Sequence, residues 1–331
     1  MNRVNIIMAT YNGARYIREQ IESIVKGSYS DYKLWIFDDG STDDTISIVN
    51  EYVKNLPEKV IFRQNNRNKG VTHNFLDGVQ YAAELNEIQE QEKSDQLLSE
   101  DEEPEIIRDY YMFCDQDDIW MTDKICKTMM QMKKIEKKLG QDYPVAVFTD
   151  ALVVDNDLKV LNRSFHKSNR LDTKKVDLPH ILMENKLIGC TVMFNEPIHQ
   201  LMIGKPICAR YHDWWVALIA SAFGHISYLP TVTLFYRQHG GNVVGNQSFQ
   251  TYVRERLLSI KEQKAVINKN ALQAEEFYKI YEAALTPRQK KQVYCMAYLL
   301  KESWIKRRQL VLKFGFMKTG VVRNLGLMYI L

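Results

Sequence analysis

The chain has 331 residues, of which 45% are hydrophobic and 26% are charged, and its formal net charge is +3. This composition is ordinary for a globular protein and excludes a largely disordered, collagen-like or disulfide-scaffold chain. The five cysteines are odd in number and have no Cys-x-x-Cys spacing, so we expect neither a zinc cluster nor a disulfide framework. The length predicts about two domains, or one large domain with an appendage.

The first half of the chain alternates strand and helix patterns, which favours a largely parallel α/β sheet. Strands are predicted at residues 4–10, 34–37, 60–62 and 110–114. Helical periodicity follows each of these strands. No charged and then apolar leader precedes the first strand, so we expect a cytoplasmic protein without a signal peptide.

The second half is less regular. Further strands are predicted at residues 145–149 and 229–236, with a helix from about residue 212 between them. We expect one unit over residues 1–246 and a helical region over residues 247–331, in which Pro287 opens a helix. The longest nearly apolar stretch, residues 214–223, is about half of the roughly 20 residues that a membrane span requires.

Charge is unevenly distributed. Residues 84–109 contain eleven acidic and two basic residues without apolar periodicity, which predicts a solvated insertion or mobile loop at about residues 86–109. Residues 303–331 contain six basic residues and no acidic residue, interleaved with apolar residues that include Phe316 and Leu327. This pattern favours shallow docking on an anionic membrane surface. The alternative is an ordinary helix that packs its apolar residues on its neighbours.

Two acidic residues follow the predicted strand at 110–114. Asp115 and Asp117 lie two residues apart where a buried strand meets solvent. Carboxylate oxygens with open water positions suit Mg²⁺ or Mn²⁺ bridged to a diphosphate. The alternative is a strand-to-helix turn whose aspartates cap the next helix. Ligands of open α/β sheets bind at the carboxyl ends of strands, so this edge is the first candidate site.

Polar residues also follow the first two strands. The first strand ends in Thr10, Tyr11 and Asn12, which offer backbone and ring contacts to a nucleotide. The second strand ends in Asp38 and Asp39, where one carboxylate would bond a base or ribose. The following segment, residues 41–44, has the pattern of a capping box with Asp in place of Glu, so we expect it to cap the next helix.

Two later motifs complete the set. Asp213 falls in the first turn of the helix that begins at about residue 212, where a carboxylate is a helix cap or a positioned general base. Arg237 and His239 follow the strand at 229–236. Arg237 would neutralise diphosphate charge, and His239 would ligate a metal or touch phosphate. For His239 an ordinary turn residue beside glycines is the alternative.

Together these motifs resemble the inverting family 2 glycosyltransferases of the GT-A fold, over roughly residues 3–246. The resemblance rests on residues 10–13, 37–43, 68–70 and 115–117 and on the later acidic motif that contains Asp213. Within the family, residues 115–120, 212–215 and 236–239 are most similar to bacterial rhamnosyltransferases that build cell-wall and surface polysaccharides.

The resemblance implies a Rossmann-like mixed sheet flanked by helices, with a C-terminal helical region. It also implies roles for the residues that match the motifs. These are Asp39 near the base or ribose, Lys69 near the nucleotide sugar, Asp115 and Asp117 at the nucleotide and metal, Asp213 as catalytic base, and His239 near the metal or diphosphate. One departure is His212, which stands where the family often has Glu.

The leading hypothesis is a metal-dependent inverting glycosyltransferase that moves L-rhamnose from dTDP-L-rhamnose to a saccharide or lipid-linked acceptor. We expect it to work in the cytoplasm on the inner face of the cell membrane. A UDP-hexose donor, a sugar-nucleotide pyrophosphorylase and an inactive assembly partner are the alternatives. We expect no nucleic-acid binding, because the basic tail has no recognisable reader motif.

Overall fold

The computed structural model describes residues 1–97, 107–239 and 260–331. Its strands are β1 (Asn2–Thr10), β2 (Tyr32–Asp38), β3 (Val60–Gln64), β4 (Arg108–Cys114), β5 (Ile119–Trp120), β6 (Val145–Val154), β7 (Val160–Asn162), β8 (Val192–Asn195) and β9 (His225–Arg237). Its α-helices are α1 (Ile17–Val25), α2 (Thr45–Asn55), α3 (Val71–Leu97), α4 (Lys124–Leu139), α5 (Phe165–Ser168), α6 (Leu178–Met183), α7 (Glu196–Leu201), α8 (His212–Phe223), α9 (Ile260–Tyr281), α10 (Pro287–Ala297), α11 (Trp304–Phe314) and α12 (Val321–Ile330).

The strands form one mixed sheet in the order β3-β2-β1-β4-β8-β6-β9-β5, with β7 paired to β6. Strands β3, β2, β1 and β4 run parallel to one another, whereas β8 is antiparallel to both β4 and β6. The predicted α/β sheet flanked by helices is therefore confirmed. The register pairs Thr10 with Asp38 and Met8 with Cys114, so the carboxyl ends of β1, β2 and β4 meet at one edge.

Successive side chains of β1 supply the cores on the two faces of the sheet, as the period of two in a strand requires. Ile6 is fully buried in the cluster that contains residues of α1 and α4. Ile7 is fully buried in the cluster that contains residues of α3 and α8. Helices thus cover both faces of the sheet, and the polar residues that could bind a ligand lie at the ends of the strands.

The C-terminal helices share the core of the α3 and α8 face. Pro287 opens α10 as predicted, behind a capping box between Thr286 and Gln289. Phe316 and Leu327 are buried in this core, which corrects the expectation that both insert into a membrane. Among the described helices, none has both the length and the apolar character that crossing a bilayer requires.

The acidic segment after residue 86 differs from its prediction. Helix α3 continues to Leu97, and Asp109 lies in β4, so the loop expected over residues 86–109 is wrong at both ends. Residues 98–106 lie outside the described residues. The helix lacks apolar periodicity after Asn86 because most of its side chains there are exposed or half-buried. Glu90 and Asp109 each pair with Arg3 at 2.5 Å.

Candidate active site

A cavity of about 730 Å³ opens at the edge where the parallel strands end. Two sets of residues line it from different elements. The strand-end wall consists of Thr10, Tyr11, Asp39, Asp115 and Asp117. The helical wall consists of Glu184, Arg210, Trp214, Lys318 and Arg323. Asp213, at the start of α8, also lines the cavity, so six of the predicted site residues are brought together there.

The ends of β1 and β4 are fixed to each other by Gln116. Its side-chain oxygen accepts the backbone N–H of Tyr11, and its side-chain nitrogen donates to the backbone oxygen of Tyr11, both at 3.0 Å. A Cβ atom on Gly13 would lie 2.1 Å from the Gln116 oxygen, so a larger residue at this position would displace the Gln116 side chain. The two motifs of the strand-end wall therefore form one rigid unit.

Asp39 lines the cavity and also fixes the loop that leads into α3. Its carboxylate accepts the backbone N–H groups of Lys69 and Gly70, each at 2.8 Å, and the side-chain amide of Asn65 at 3.1 Å. The Lys69 ammonium group pairs with Asp77 at 2.7 Å. Lys69 thus contributes its backbone to the site, and its side chain is not part of the cavity lining.

Asp38 and Asn12 support the strand-end wall from behind, which corrects their prediction as nucleotide ligands. Asp38 is fully buried and accepts the backbone N–H and the hydroxyl of Ser41. The Asn12 side chain accepts the backbone N–H of Thr42 at 2.8 Å. Helix α2 begins only at Thr45, without a side-chain cap from Asp44, so the expected capping box is wrong as well.

Arg237 also supports the site by bonding to the segments around it. Its guanidinium donates to the backbone oxygen of Asp117 at 2.9 Å, to the backbone oxygen of Asn156 at 2.8 Å and to the Glu19 carboxylate at 2.5 Å. It is not among the residues that line the cavity. Arg237 therefore anchors the loop that carries Asp117, and the expectation that it faces a diphosphate is corrected.

The residues predicted to hold a metal are adjacent. The Nε2 atom of His239 lies 2.6 Å from a carboxylate oxygen of Asp117. Burial, followed by the nearby carboxylates of Asp117 and Asp213, raises the pKa of Asp115 well above its ordinary value. Clustered carboxylates that repel one another in this way are stabilised by a divalent cation. The donor set of two carboxylates and one imidazole fits Mg²⁺ or Mn²⁺.

A second group of possible ligands shares Asp115. Ligand atoms of Asp115, Asp118 and Cys190 lie within 4.8 Å of one another. Asp118 and Cys190 are fully buried, and burial raises the pKa of the Cys190 thiol well above its ordinary value. A protonated thiol is a poor ligand for a hard cation. Asp117 and His239 are therefore the better companions of Asp115 for a cation that must reach the cavity.

Asp213 occupies the first turn of α8 and is 8% exposed. The backbone N–H of Trp214 donates to its carboxylate at 2.6 Å, and contacts from the Asn185 side chain and the Gly189 backbone also stabilise the charged form. Burial outweighs these contacts and raises the pKa of Asp213 to about 7. A carboxylate with such a pKa titrates where a general base is most effective.

His212, the neighbour of Asp213, is not an acid–base partner. Its ring packs on Phe75 and Phe113, with centroids 3.9 and 4.4 Å away. Burial lowers its pKa to about 3, and within the described residues neither ring nitrogen has a hydrogen-bond partner. A Cβ atom on Gly189 would lie 2.6 Å from the Nε2 atom of His212. The neutral ring therefore fills space against the turn that holds Asp213.

The helical wall was not found by sequence analysis. The sequence offers one weak signal for Arg210, its position three residues before Asp213. Lys318 and Arg323 belong to the basic tail, which the sequence assigned to a membrane surface instead. In the structure Arg323 pairs with Glu184 at 3.0 Å, and Lys318 is 8% exposed. These cations face the cavity because α12 packs beside the segment that follows α6.

Comparisons with known proteins found a matching family and relatives that align over most of the chain. A family described as Glycosyl transferase family 2 matches residues 5–84. The dTDP-rhamnosyl transferase RfbG of Shigella flexneri is 28% identical over 286 residues, which are 82% of this chain and 86% of that protein.

Two solved structures share the fold. The structure of S. aureus TarS 1-349 aligns with a TM-score of 0.51 at 15% identity, covering 93% of this chain and 78% of that chain. Mannosyltransferase PcManGT from Pyrobaculum calidifontis, in complex with GDP-Man and Mn²⁺, aligns with a TM-score of 0.51 at 16% identity, covering 94% of this chain and 72% of that chain. The expected GT-A fold is thus confirmed.

Proposed function

We propose that this chain, a glycosyltransferase that carries a family 2 domain, transfers a sugar from a nucleoside diphosphate to an acceptor hydroxyl with Asp213 as the general base. One observation carries the proposal. The buried carboxylate of Asp213 lines the same cavity as Asp115 and Asp117, and all three lie at the carboxyl edge of the parallel strands. The expected product is a saccharide of bacterial cell-wall or surface polysaccharide.

The reaction is a single displacement that inverts the anomeric carbon. Asp213 accepts the proton of the acceptor hydroxyl while that oxygen forms its bond to the anomeric carbon. The bond from the anomeric carbon to the diphosphate breaks, and its electron pair leaves with the nucleoside diphosphate. The pKa of about 7 leaves a substantial fraction of Asp213 ionised at neutral pH and makes it basic enough to take the proton.

The strand-end wall would hold the donor. Asp39 is placed for the base or ribose, and the backbone around Tyr11 forms the floor that Gln116 fixes. When bound to Asp115, Asp117 and His239, a divalent cation would supply positive charge against the departing diphosphate. The Mn²⁺ of the mannosyltransferase complex supports a cation of this kind here.

The first candidate donor is dTDP-L-rhamnose. Its support is the similarity to RfbG, a dTDP-rhamnosyl transferase, over 82% of this chain. A UDP-hexose is the second candidate, because the strand-end wall would hold the diphosphate and cation in the same way for either base.

A donor screen tests the proposal. The protein is incubated with dTDP-L-rhamnose, UDP-glucose, UDP-N-acetylglucosamine or GDP-mannose, each with Mg²⁺, Mn²⁺ or a chelator, and release of the nucleoside diphosphate is measured. We expect cation-dependent release that is fastest with dTDP-L-rhamnose. Pyrophosphate-dependent exchange without such release would indicate a pyrophosphorylase and contradict the proposal.

We further propose that the C-terminal helices rest on an anionic membrane. Apolar residues on α11 and α12 remain more than half exposed: Trp304, Ile305, Leu312, Val321, Val322, Leu325 and Tyr329. Lys306 and Lys313 are exposed on α11, beside these apolar residues. Positive charge next to apolar side chains is the composition that binds anionic lipid surfaces. A lipid-linked acceptor would be reached from such a position.

Surface substitutions test this docking without disturbing the core. Removal of the whole tail would also remove the buried Phe316 and Leu327, so it would not separate docking from folding. We expect the Ile305→Ser, Leu312→Ser double variant to lose sedimentation with vesicles of phosphatidylglycerol and to keep its donor turnover. Binding equal to that of the parent protein, or equal binding to neutral phosphatidylcholine vesicles, would contradict the docking proposal.

A further inference from the structure

Arg210 is a cation in the helical wall that no described carboxylate neutralises. Its guanidinium donates to the side-chain oxygen of Asn270, and its Cζ atom lies 4.7 Å from the ring centroid of Trp214. Within residues 1–97, 107–239 and 260–331, no Asp or Glu oxygen lies within 4.0 Å of it. Burial lowers the pKa of Arg210, as expected for a cation without a counter-charge.

Hydrogen bonds to helix α9 fix the position of Arg210. Its backbone N–H donates to the side chain of Gln273 at 2.8 Å, and Asn270 also donates to the backbone oxygen of Met183 at 2.9 Å. Helix α9 thus holds Arg210 against α6 and α8. The guanidinium also has a side-chain contact with Tyr211. Held by Asn270 and Tyr211 over the ring of Trp214, it has its remaining N–H groups in a fixed orientation, which favours bidentate binding of an oxyanion.

The other charges of the helical wall leave Arg210 unbalanced. Glu184 is the acidic residue of that wall, and it pairs with Lys186 and with Arg323. The carboxylates of the strand-end wall lie near Asp117, where a cation would be bound. The cavity therefore has an acidic side and a basic side. Of the two arginines on the basic side, Arg323 is paired with Glu184, whereas Arg210 has no carboxylate partner among the described residues, so a ligand would have to neutralise Arg210.

We propose that Arg210 binds an anionic group, a phosphate or a carboxylate, on the acceptor saccharide or on its immediate attachment. The inference rests on the proposed function, because Asp213 defines where the accepting hydroxyl lies. Arg210 and Asp213 line the same cavity, and three residues of chain span at most about 11 Å, so an acceptor at Asp213 is within reach of Arg210. Trp214, whose ring lies under the Arg210 guanidinium, lines the same cavity.

Titration calorimetry with small probes tests this assignment. The protein is first saturated with Mg²⁺ and the nucleoside diphosphate of its preferred donor, so that the diphosphate subsite is filled. Glucose 1-phosphate, glucuronic acid and methyl α-glucoside are then titrated separately. We expect at least one anionic probe to bind about tenfold more tightly than the neutral glucoside, the contribution of one charge-assisted bidentate contact. Whether the phosphate or the carboxylate binds identifies the source of the anion.

Variants decide whether Arg210 is responsible. Arg210→Gln should remove the preference for the anionic probe, Arg210→Lys should keep part of it, and Arg288→Gln, an exposed arginine on α10, should keep all of it. Nucleotide affinity should be unchanged in each variant, which also shows that each is folded. Equal or absent binding of the three probes by the parent protein would overturn the inference.

The same experiment separates this inference from the proposed function. If the parent protein binds no nucleoside diphosphate at all, the proposed function fails. If it binds nucleotide normally but shows no preference for an anionic probe, only the inference about Arg210 fails. Loss of nucleotide affinity in Arg210→Gln would also overturn the inference, because Arg210 would then serve the donor diphosphate.

Discussion

The two walls of the cavity are built in different ways. The strand-end wall takes its residues from positions directly after β1, β2 and β4, and its carboxylates are held partly by backbone N–H groups. The helical wall takes single residues from segments that lie more than 100 positions apart, such as Arg210 and Arg323, and side-chain pairs hold them. The strand-end wall is therefore ordered mainly by the sheet, and the helical wall by contacts between distant segments; on the proposed function the first would hold the donor and the second the acceptor.

The charges of the two walls differ as well. Asp115, Asp117 and Asp39 make the strand-end wall acidic, whereas Arg210, Lys318 and Arg323 exceed the charge of Glu184 on the helical wall. An acidic wall suits a nucleotide that arrives with a divalent cation. A basic wall suits a ligand that brings its own negative charge. Substitutions in the first wall should affect every acceptor, and substitutions in the second should affect affinity for particular acceptors.

The largest effect is expected from the strand-end wall. Asp117→Ala removes the carboxylate that bonds His239, so the cation would keep too few ligands to remain against the diphosphate. We expect turnover to fall by about 10³-fold, equivalent to several kcal/mol of transition-state stabilisation. Steady-state rates over a Mn²⁺ titration measure the loss. Asp123→Ala, which removes a half-exposed carboxylate between β5 and α4, should retain activity. An unchanged Mn²⁺ dependence in folded Asp117→Ala would refute the metal assignment.

The pH dependence of turnover reports on Asp213. Asp213 must be ionised to accept a proton, and its pKa of about 7 means that the protonated form accumulates below neutrality. We expect kcat/KM to fall about tenfold per pH unit below pH 7. Because folding raises this pKa, the contribution of Asp213 to the free energy of unfolding should decrease as pH rises through 4 to 7. A kinetic inflection near pH 4 would show that Asp213 is not the titrating base.

Substitution of Gly189 tests how closely the turn before β8 must approach α8. A methyl group there would lie 2.6 Å from His212, which cannot move away because Phe75 and Phe113 enclose it. We expect Gly189→Ala to reduce kcat by about tenfold through displacement of Asp213, with a small change in donor affinity. Gly326→Ala is the matched control, since no atom lies within 4 Å of its new methyl group. Equal rates for the two variants would refute this account.

The smallest effect is expected far from both walls. Glu90→Gln breaks the ion pair with Arg3, in which the Glu90 side chain is 40% exposed. We expect it to lower the free energy of unfolding by less than about 1 kcal/mol and to leave turnover unchanged. Asp109→Asn should cost more, because Asp109 also accepts the Asn5 amide at 2.7 Å. Urea denaturation of both variants gives the comparison, and an equal loss in the two would contradict it.

The strand-end wall could be predicted from sequence because parallel strands place their carboxyl ends together. Local pattern did not distinguish Asp38 from Asp39, since both are carboxylates after the same strand. Their roles differ because consecutive residues point in opposite directions: Asp38 turns into the loop at Ser41, and Asp39 turns toward the cavity. The same limit applies to Arg237, whose side chain points back to the Asp117 loop.

The helical wall could not be predicted because tertiary packing assembles it. Arg210 is close to Asp213 in sequence, but its stacking on Trp214 and its bond to Asn270 depend on how α9 docks. The extension of α3 was missed for a related reason. After Asn86 most side chains of α3 are exposed or half-buried, and a tertiary contact of Glu90 with Arg3 joins it to the sheet, so the helix lacks the apolar period by which helices are recognised.

The most direct test of the central claim is the separation of binding from transfer in Asp213→Asn. The variant keeps the size of the side chain and removes the base. We expect donor affinity within about twofold of the parent protein and a kcat for transfer lower by 10²–10⁴-fold, about the usual contribution of a positioned base. Asp142→Asn, whose carboxylate is 98% exposed, is the control and should match the parent in both. A variant of Asp213 that loses donor affinity but transfers bound donor at the parental rate would contradict the account.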